Sequence, residues 1–353
     1  MIQAGRKRGW QATAGCAVTA ALIAMPALPA AATEPDNPAG ARYTVQAFAA
    51  VGAETKPDDI TRLGEFIYVS FQNGVGPLGE PAVSEVTAST IQQYAPDGRP
   101  GKSWHVQGRV DGLTADPAEH RLLLTANEDG NSRFGTLTPG ADGPLHTYNY
   151  TGLTHGGGTD AITVFHRDIL ISASNPADSA DPAAYRVQLH GDSADLTPLF
   201  HDNSAAVAAN GPHAGHRVAL ALTDPDSNTK VPATSSRFQG DFLLDAQGDR
   251  QLIFTRDPGI GHQELQVLTV PQPLDDTAFA QSSGLTLWVT DPIADTVDAI
   301  TGPFPSGAAV STVTPDIGPT FLATLDLTRG TLTPITALAA VQPKGLIFTS
   351  AHD

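Results

Sequence analysis

A recurring frame constrains this chain more than any other feature. KPDDITRLGEFIYVSFQNG begins at Lys56, RVDGLTADPAEHRLLLTANEDG at Arg109, GGTDAITVFHRDILISASNP at Gly157, QGDFLLDAQGDRQLIFTRDP at Gln239 and LDDTAFAQSSGLTLWVTDP at Leu274. A shorter QPKGLIFTS follows from Gln342. Each copy offers an acidic residue, a small or acidic one, an apolar pair, a turn, a β-rich run and then Asn or Asp. Repeats of roughly 50 residues mean a propeller or a solenoid. The runs FIYVS, RLLLTA, ILISAS, QLIFT and LTLWVT are each bounded by Gly, Pro, Asp or Asn, the pattern of short strands and tight turns.

Hairpins such as TIQQYAPDGRPGKSWHV (90–106) and YRVQLHGDSADLTPLF (185–200) fill the intervals between copies of the frame. The strand pair of one copy plus a hairpin makes a four-stranded blade, and a ring of blades leaves only short, protected edges. The expected fold is an all-β propeller of six blades, with seven as the alternative, closed by an N-terminal strand YTVQAFAAV (43–51). The interval from Asp160 to Asp241 is 81 residues, which places an insertion at about 203–238, expected to hang over the channel mouth.

The stretches LTADP…LLLTANEDGNS and LWVTDPIADTVDAI resemble the repeats of the NHL, YVTN and SMP-30/gluconolactonase-like propellers, and an actinobacterial type of secreted propeller without an assigned activity. The resemblance spans most of the chain after residue 32, and its motifs specify blades. It implies, from the SMP-30-like enzymes, a divalent metal held by Glu, Asn and Asp around the channel and a hydrolase or lyase reaction. This chain lacks the early Glu at the start of a copy.

Residues 1–32 read as a secretory leader. Arg6, Lys7 and Arg8 precede the apolar stretch 14–28, and Ala30-Ala31-Ala32 offers a cleavage site, so a single domain over 33–353 outside the cell is expected. Pro26 and Pro29 interrupt a run too short to anchor in a membrane, so no membrane insertion is expected. The leader carries Cys16, Met1 and Met25, all the sulfur of the chain. Disulfides and thiolate chemistry are thereby excluded after cleavage, and no haem, flavin or nicotinamide cofactor is expected. A formal net charge of −17 argues against nucleic acid and anionic membranes as partners. A monomer with a small-molecule or other extracellular partner is expected.

Propeller geometry brings the starts of the copies and the ends of their second strands to one face. The first set is Asp58, Asp59, Asp111, Asp160, Asp241, Asp275, Asp276 and Lys344; the second is Asn73, Asn127, Glu128, Asn175, Asp257 and Asp291. Together with His155, beside Gly156-Gly157-Gly158, they form the candidate ligand face. The glycines lead into the alternating run TDAITVF and so read as a connection between blades, since phosphate loops place glycines before a helix. Asp and Asn also serve turns by bonding their own backbone. Ca²⁺ or another divalent ion, taking six to eight oxygens, is the competing use.

Asp224, Asp226 and Asn228 stand at the first, third and fifth positions of a calcium-loop pattern, but Thr229 and Ser235 occupy its Gly and Glu positions. His213 and His216 lie among Gly211, Pro212 and Gly215, which disfavour a helix that would bring them together. Neither G-x-S-x-G nor H-E-x-x-H occurs. Two functions stay open: a secreted module binding a small ligand, cell-wall component or protein at an acidic mouth, and a metal-dependent lactonase- or esterase-like hydrolase.

Overall fold

The computed structural model describes residues 42–50, 52–259 and 264–350. The expected leader and its cleavage site lie outside them. Strand β1 (Thr44–Ala50) is followed by β2 (Pro57–Leu63), β3 (Phe66–Phe71), β4 (Ala88–Tyr94) and β5 (Pro100–Gln107), of which β2 to β5 form one four-stranded sheet in that order. The next two quartets are β6 (Val110–Asp116), β7 (Arg121–Ala126), β8 (Arg133–Leu137) and β9 (Leu145–Thr151), then β10 (Ile162–Phe165), β11 (Asp168–Ser172), β12 (Pro182–His190) and β13 (Ser193–His201). Parallel pairing of Ser193 in β13 with Asn149 in β9 joins them at their outer edge.

A six-stranded sheet follows, built from β14 (Ala205–Ala208), β15 (Arg217–Ala219), β16 (Pro225–Lys230), β17 (Phe242–Ala246), β18 (Gln251–Thr255) and β19 (Leu265–Thr269). The last strands are β20 (Leu274–Phe279), β21 (Thr286–Asp291), β22 (Thr296–Thr301), β23 (Ala309–Val313), β24 (Phe321–Asp326), β25 (Thr331–Pro334) and β26 (Leu346–Thr349). Among the described residues the only helix is the 3-10 turn Thr336–Leu338, and no helix is long and apolar enough to cross a membrane.

These sheets are arranged as a β-propeller. Strands β2, β6, β10, β16, β20 and β26 stand side by side around the channel, each packed against the next and β26 against β2. The middle strands of the blades, such as second strands β7 and β17 and third strand β18, are buried almost along their whole length, because blades cover both of their faces. That is why these segments read as continuous apolar runs instead of alternating ones. The core is correspondingly a set of inter-blade layers: Phe165 and Leu170 meet Phe242 and Leu244, while Phe254 and Leu268 meet Phe279 and Val313. Outer strand β5 is largely exposed.

Closure is more interlocked than the repeat implies. β20 pairs with β23, not with the LTLWVT run that follows it in sequence. That run, β21, pairs with β22 and with β26, and β1 completes their sheet through Thr44 opposite Thr301. The chain therefore leaves one blade after its inner strand, contributes a hairpin to the next blade and then returns. An apolar second strand has the same pattern whichever inner strand it joins, so the repeated frame alone paired β20 with the wrong partner. β1 does close the ring, as its position in the sequence implies.

The segment 203–238 also differs from its expected place. β14 and β15 extend the outer edge of their sheet, with β14 parallel to β19, while β16 is the inner strand. The segment is thus built into the sheet and does not overhang the mouth. Inner strand β16 pairs with β17, while β15 is an exposed edge strand.

Candidate functional site

Most aspartates at the mouth are aimed by an irregularity of their strand. The pairing register shifts between Pro57 and Ile60 in β2, Val110 and Leu113 in β6, Pro225 and Asn228 in β16, and Leu274 and Asp276 in β20. Bulges of this kind re-aim side chains. They carry Asp58-Asp59, Asp111, Asp226 and Asp275-Asp276; Asp160 precedes β10 and Lys344 precedes β26. The ring is therefore five aspartates and one lysine at equivalent positions, with Asp59, Asp276 and Glu128 beside them, around a channel of about 1050 Å³ including its open mouth.

A hydroxyl on the second strand fixes several of these irregularities. Ser70 Oγ accepts the Asp59 N–H at 3.0 Å, Thr125 Oγ1 accepts that of Gly112 at 2.9 Å, and Thr290 Oγ1 accepts that of Gly345 at 2.8 Å. Thr125 and Thr290 also donate to the backbone carbonyls of Asp160 and Asp58, tying each blade to the next. The residue in this place on β17 is Asp245, set between Leu244 opposite Asn228 and Ala246 opposite Pro225. It is 1% exposed, and among the described residues neither of its oxygens has a hydrogen-bond partner.

The ring divides by charge compensation. Lys344 Nζ lies 2.7 Å from Asp275 Oδ1 and 3.7 Å from Asp58 Oδ1, and Gln247 donates to Asp275 at 3.1 Å. Arg109 pairs with Asp111 and with Glu128, each at 2.8 Å. Asp59 and Asp276 are staples between inner strands: Asp59 Oδ2 accepts the Leu113 N–H and Asp276 Oδ2 the Leu346 N–H, both at 2.7 Å. Asp160 and Asp226 have no ion pair among the described residues, and both line the channel. Burial first, and then the neighbouring Asp160 carboxylate, hold the Asp226 carboxyl well above the usual carboxylate range.

The surrounding acids are shifted in the same direction. Burial pushes Asp58 up to about 6 despite Lys344 and Arg109, and Asp276 up to about 7 despite the Leu346 N–H. Glu128 is pushed up to about 8 by burial and by Asp160. Burial works against the charges of Arg109 and Lys344, but the carboxylates beside them more than offset it and hold both well above their ordinary range. The mouth is thus a crowded carboxyl site that stores protons.

The other sequence candidates occupy different places. Asn73, Asn127 and Asn175 end second strands with φ of 54°, 67° and 51°, the left-handed region that Asn tolerates. Asn73 Oδ1 accepts the Thr55 N–H at 3.0 Å and Asn127 Oδ1 that of Arg109 at 3.0 Å. Asp291 accepts from Ile293, Ala294 and Gln342 backbone N–H groups. His155 is wholly buried beside Tyr185, accepts the Gly157 N–H at 3.3 Å, and is lowered by burial to about 4, so its ring is neutral.

Asp241 and Asp257 are corrections. Because β17 is a second strand, Asp241 at its start lies at the opposite end from the mouth, paired with Arg256; Asp257 follows the end of β18 on that same far side. The residue of that blade at the mouth is Asp226, read from sequence only as a calcium-loop member. Asp224, Asp226 and Asn228 do not form such a loop, since 225–230 is inner strand β16. Asp224 accepts the Gly248 N–H at 3.1 Å and Asn228 Nδ2 donates to the Ala161 carbonyl at 2.7 Å. His213 and His216 lie in the exposed β14–β15 turn. The unequal intervals held the missed signal: counting Asp226 instead of Asp241 turns 81 and 34 into 66 and 49.

No family model and no curated protein matches this chain. Among solved structures it is similar to a protein of unknown function from Bacteroides thetaiotaomicron VPI-5482, at 9% identity and a TM-score of 0.48 over 84% of this chain and 64% of that one. The chain thus spans about two thirds of that protein's length. It is also similar to a putative 6-phosphogluconolactonase from Bacteroides uniformis ATCC 8492, at 13% identity and a TM-score of 0.43 over 81% and 85% of the two chains. The WD40 propeller domain of Doa1 gives 11% identity and a TM-score of 0.40 over 82% and 85%. The fold is read from the sheets of this chain, and its chemistry has to come from the site itself.

Proposed function

We propose that this protein is an extracellular binding module that takes a small cationic ligand at Asp160 and Asp226. One observation carries the reading. The intrinsic cations Lys344 and Arg109 are paired with Asp58, Asp275, Asp111 and Glu128, whereas Asp160 and Asp226, in the same channel, have no ion pair among the described residues. A cation arriving there displaces the proton that burial favours on Asp226 and finds a second carboxyl, Asp160, in the same channel. Lys344 is the internal precedent, an ammonium seated between carboxylates of the same ring.

A resident divalent metal, as the lactonase-like resemblance implies, fits these residues less well. Lys344 stands between Asp58 and Asp275, and among the described residues no three His, Cys, Asp or Glu side chains form a metal-holding group. The hydrolase reading therefore comes second.

The test is calorimetric titration with n-butylammonium and, separately, Ca²⁺ at pH 7 in two buffers of different ionisation enthalpy. We expect one-to-one binding of n-butylammonium with a buffer-dependent heat from the released proton, weakened at least tenfold in Asp226→Asn. Absence of n-butylammonium binding up to millimolar concentration rejects the reading, and tight Ca²⁺ binding in its place restores the metal-dependent alternative.

A further inference from the structure

The large apolar side chains exposed among the described residues are Val45, Leu78, Val83, Val86, Ile293 and Ile317. Single exposed apolar residues are ordinary. Here, Val45 apart, they share one location. Leu78, Val83 and Val86 lie between β3 and β4, Ile293 between β21 and β22, and Ile317 between β23 and β24. In each case the loop leaves the end of a second strand, opposite the start of an inner strand: Phe71 pairs with Pro57, Val289 with Leu346, and Val313 with Leu274. All five residues therefore rim the mouth.

They also occupy one arc of it. Inner strands β20, β26 and β2 are consecutive neighbours, so their three loops adjoin, and β10 and β16, which bring Asp160 and Asp226, stand on the other side of the channel. Val83, fully exposed, is presented on a built turn. The Ala82 N–H donates to the Val86 carbonyl and the Glu85 N–H to the Ala82 carbonyl, both at 2.8 Å. Ile317 is 93% exposed. The same loops carry Glu80, Glu85, Asp295 and Asp316, with Lys56 and Arg250 as the bases beside them.

We propose that this face docks a basic, amphipathic polypeptide. Its apolar side chains rest on the β20–β26–β2 arc, and one lysine or arginine reaches across the channel to Asp160 and Asp226. The inference rests on the cation reading above and specifies the cation as a side chain on a polypeptide. Charge complementarity selects the partner's sign, since both the rim loops and the mouth carry an excess of acid. The apolar arc supplies contact area that a free amine cannot use, which is the usual division between apolar anchors and a buried charged contact.

The probe is a 14-residue Lys/Leu peptide at 0.15 M salt, with its Glu/Leu counterpart and n-butylammonium as comparisons. Three proteins are titrated: native, Val83→Ser/Ile293→Ser/Ile317→Ser, and Asp226→Asn. We expect one Lys/Leu peptide per native chain and at least tenfold weaker peptide binding in the rim variant, whose n-butylammonium affinity stays within twofold of native. Asp226→Asn weakens both ligands, and the Glu/Leu peptide does not bind. Equal peptide affinity in native and rim variant, or equal binding of the two peptides, overturns the docking surface while the cation reading stands. Loss of n-butylammonium binding in native protein removes the cation reading itself.

Discussion

Lys344 Nζ sits 2.7 Å from Asp275 Oδ1, at the one ring position where the repeat offers a base instead of an acid. Asp58 is also within 3.7 Å, and the ammonium opposes the rise that burial imposes on its carboxyl. Lys344→Met should cost about 1–3 kcal/mol at pH 8, less than a fully buried pair because a third of the side chain is exposed. The loss should shrink at pH 5, below the value of about 6 to which Asp58 is raised. Urea midpoints of native and variant protein at both pH values check this.

Proton storage at the mouth makes stability fall as pH rises. Burial raises Asp58 to about 6, Asp276 to about 7 and Glu128 to about 8, while the same groups titrate near 4 in the unfolded chain. Between about pH 4 and 8 the folded state thus binds more protons than the unfolded state, and the free energy of unfolding declines with pH. The urea midpoint should be higher at pH 5 than at pH 8. A saturating cationic ligand should reduce that slope by replacing protons.

Legibility of the sequence followed burial. Strands in the middle of blades, such as RLLLTA and QLIFT, are covered on both faces, so their apolar runs announce them and set the frame that locates Asp58, Asp111, Asp160, Asp275 and Lys344. Inner strands face the channel, and β16, PDSNTK, has no apolar pair at all. The frame therefore passed over Asp226 and settled on GDFLLDA, a second strand that begins with its own aspartate. The meeting of Asp160 and Asp226 in one channel and the exchange of β21–β22 between blades are matters of spatial neighbours, which local pattern does not encode.

Ring closure depends on β1 through Phe48. Its ring lies 4.4 Å from that of Trp288 in β21 and 5.9 Å from that of Tyr94 in β4, and Trp288 Nε1 donates to Thr349 Oγ1 in β26 at 2.6 Å. Phe48→Ala should cost about 3 kcal/mol and shift Trp288 emission to longer wavelength as the closing blade loosens. Gly98→Ala should act in the same direction, because a methyl there meets the Phe48 carbonyl and φ is 81°. An unchanged urea midpoint and emission in both variants would show that β1 is dispensable for closure.

Asp245 gives the sharpest stability test. It stands where the other blades place a hydroxyl, with neither oxygen partnered among the described residues, and burial followed by Asp275 and Asp276 holds its carboxyl well above the usual range. Folding therefore takes up a proton at this side chain, and the cost grows with pH above the unfolded value near 4, at most about 1.4 kcal/mol per pH unit. Threonine at this position removes that cost and supplies the hydroxyl that Thr125 offers the Gly112 N–H. Asp245→Thr should stabilise the protein by about 1–3 kcal/mol at pH 7, with a larger gain at pH 8 than at pH 5. A gain independent of pH would mean that Asp245 is ionised in the folded protein; a loss at every pH would mean that the carboxyl has a partner that threonine cannot replace.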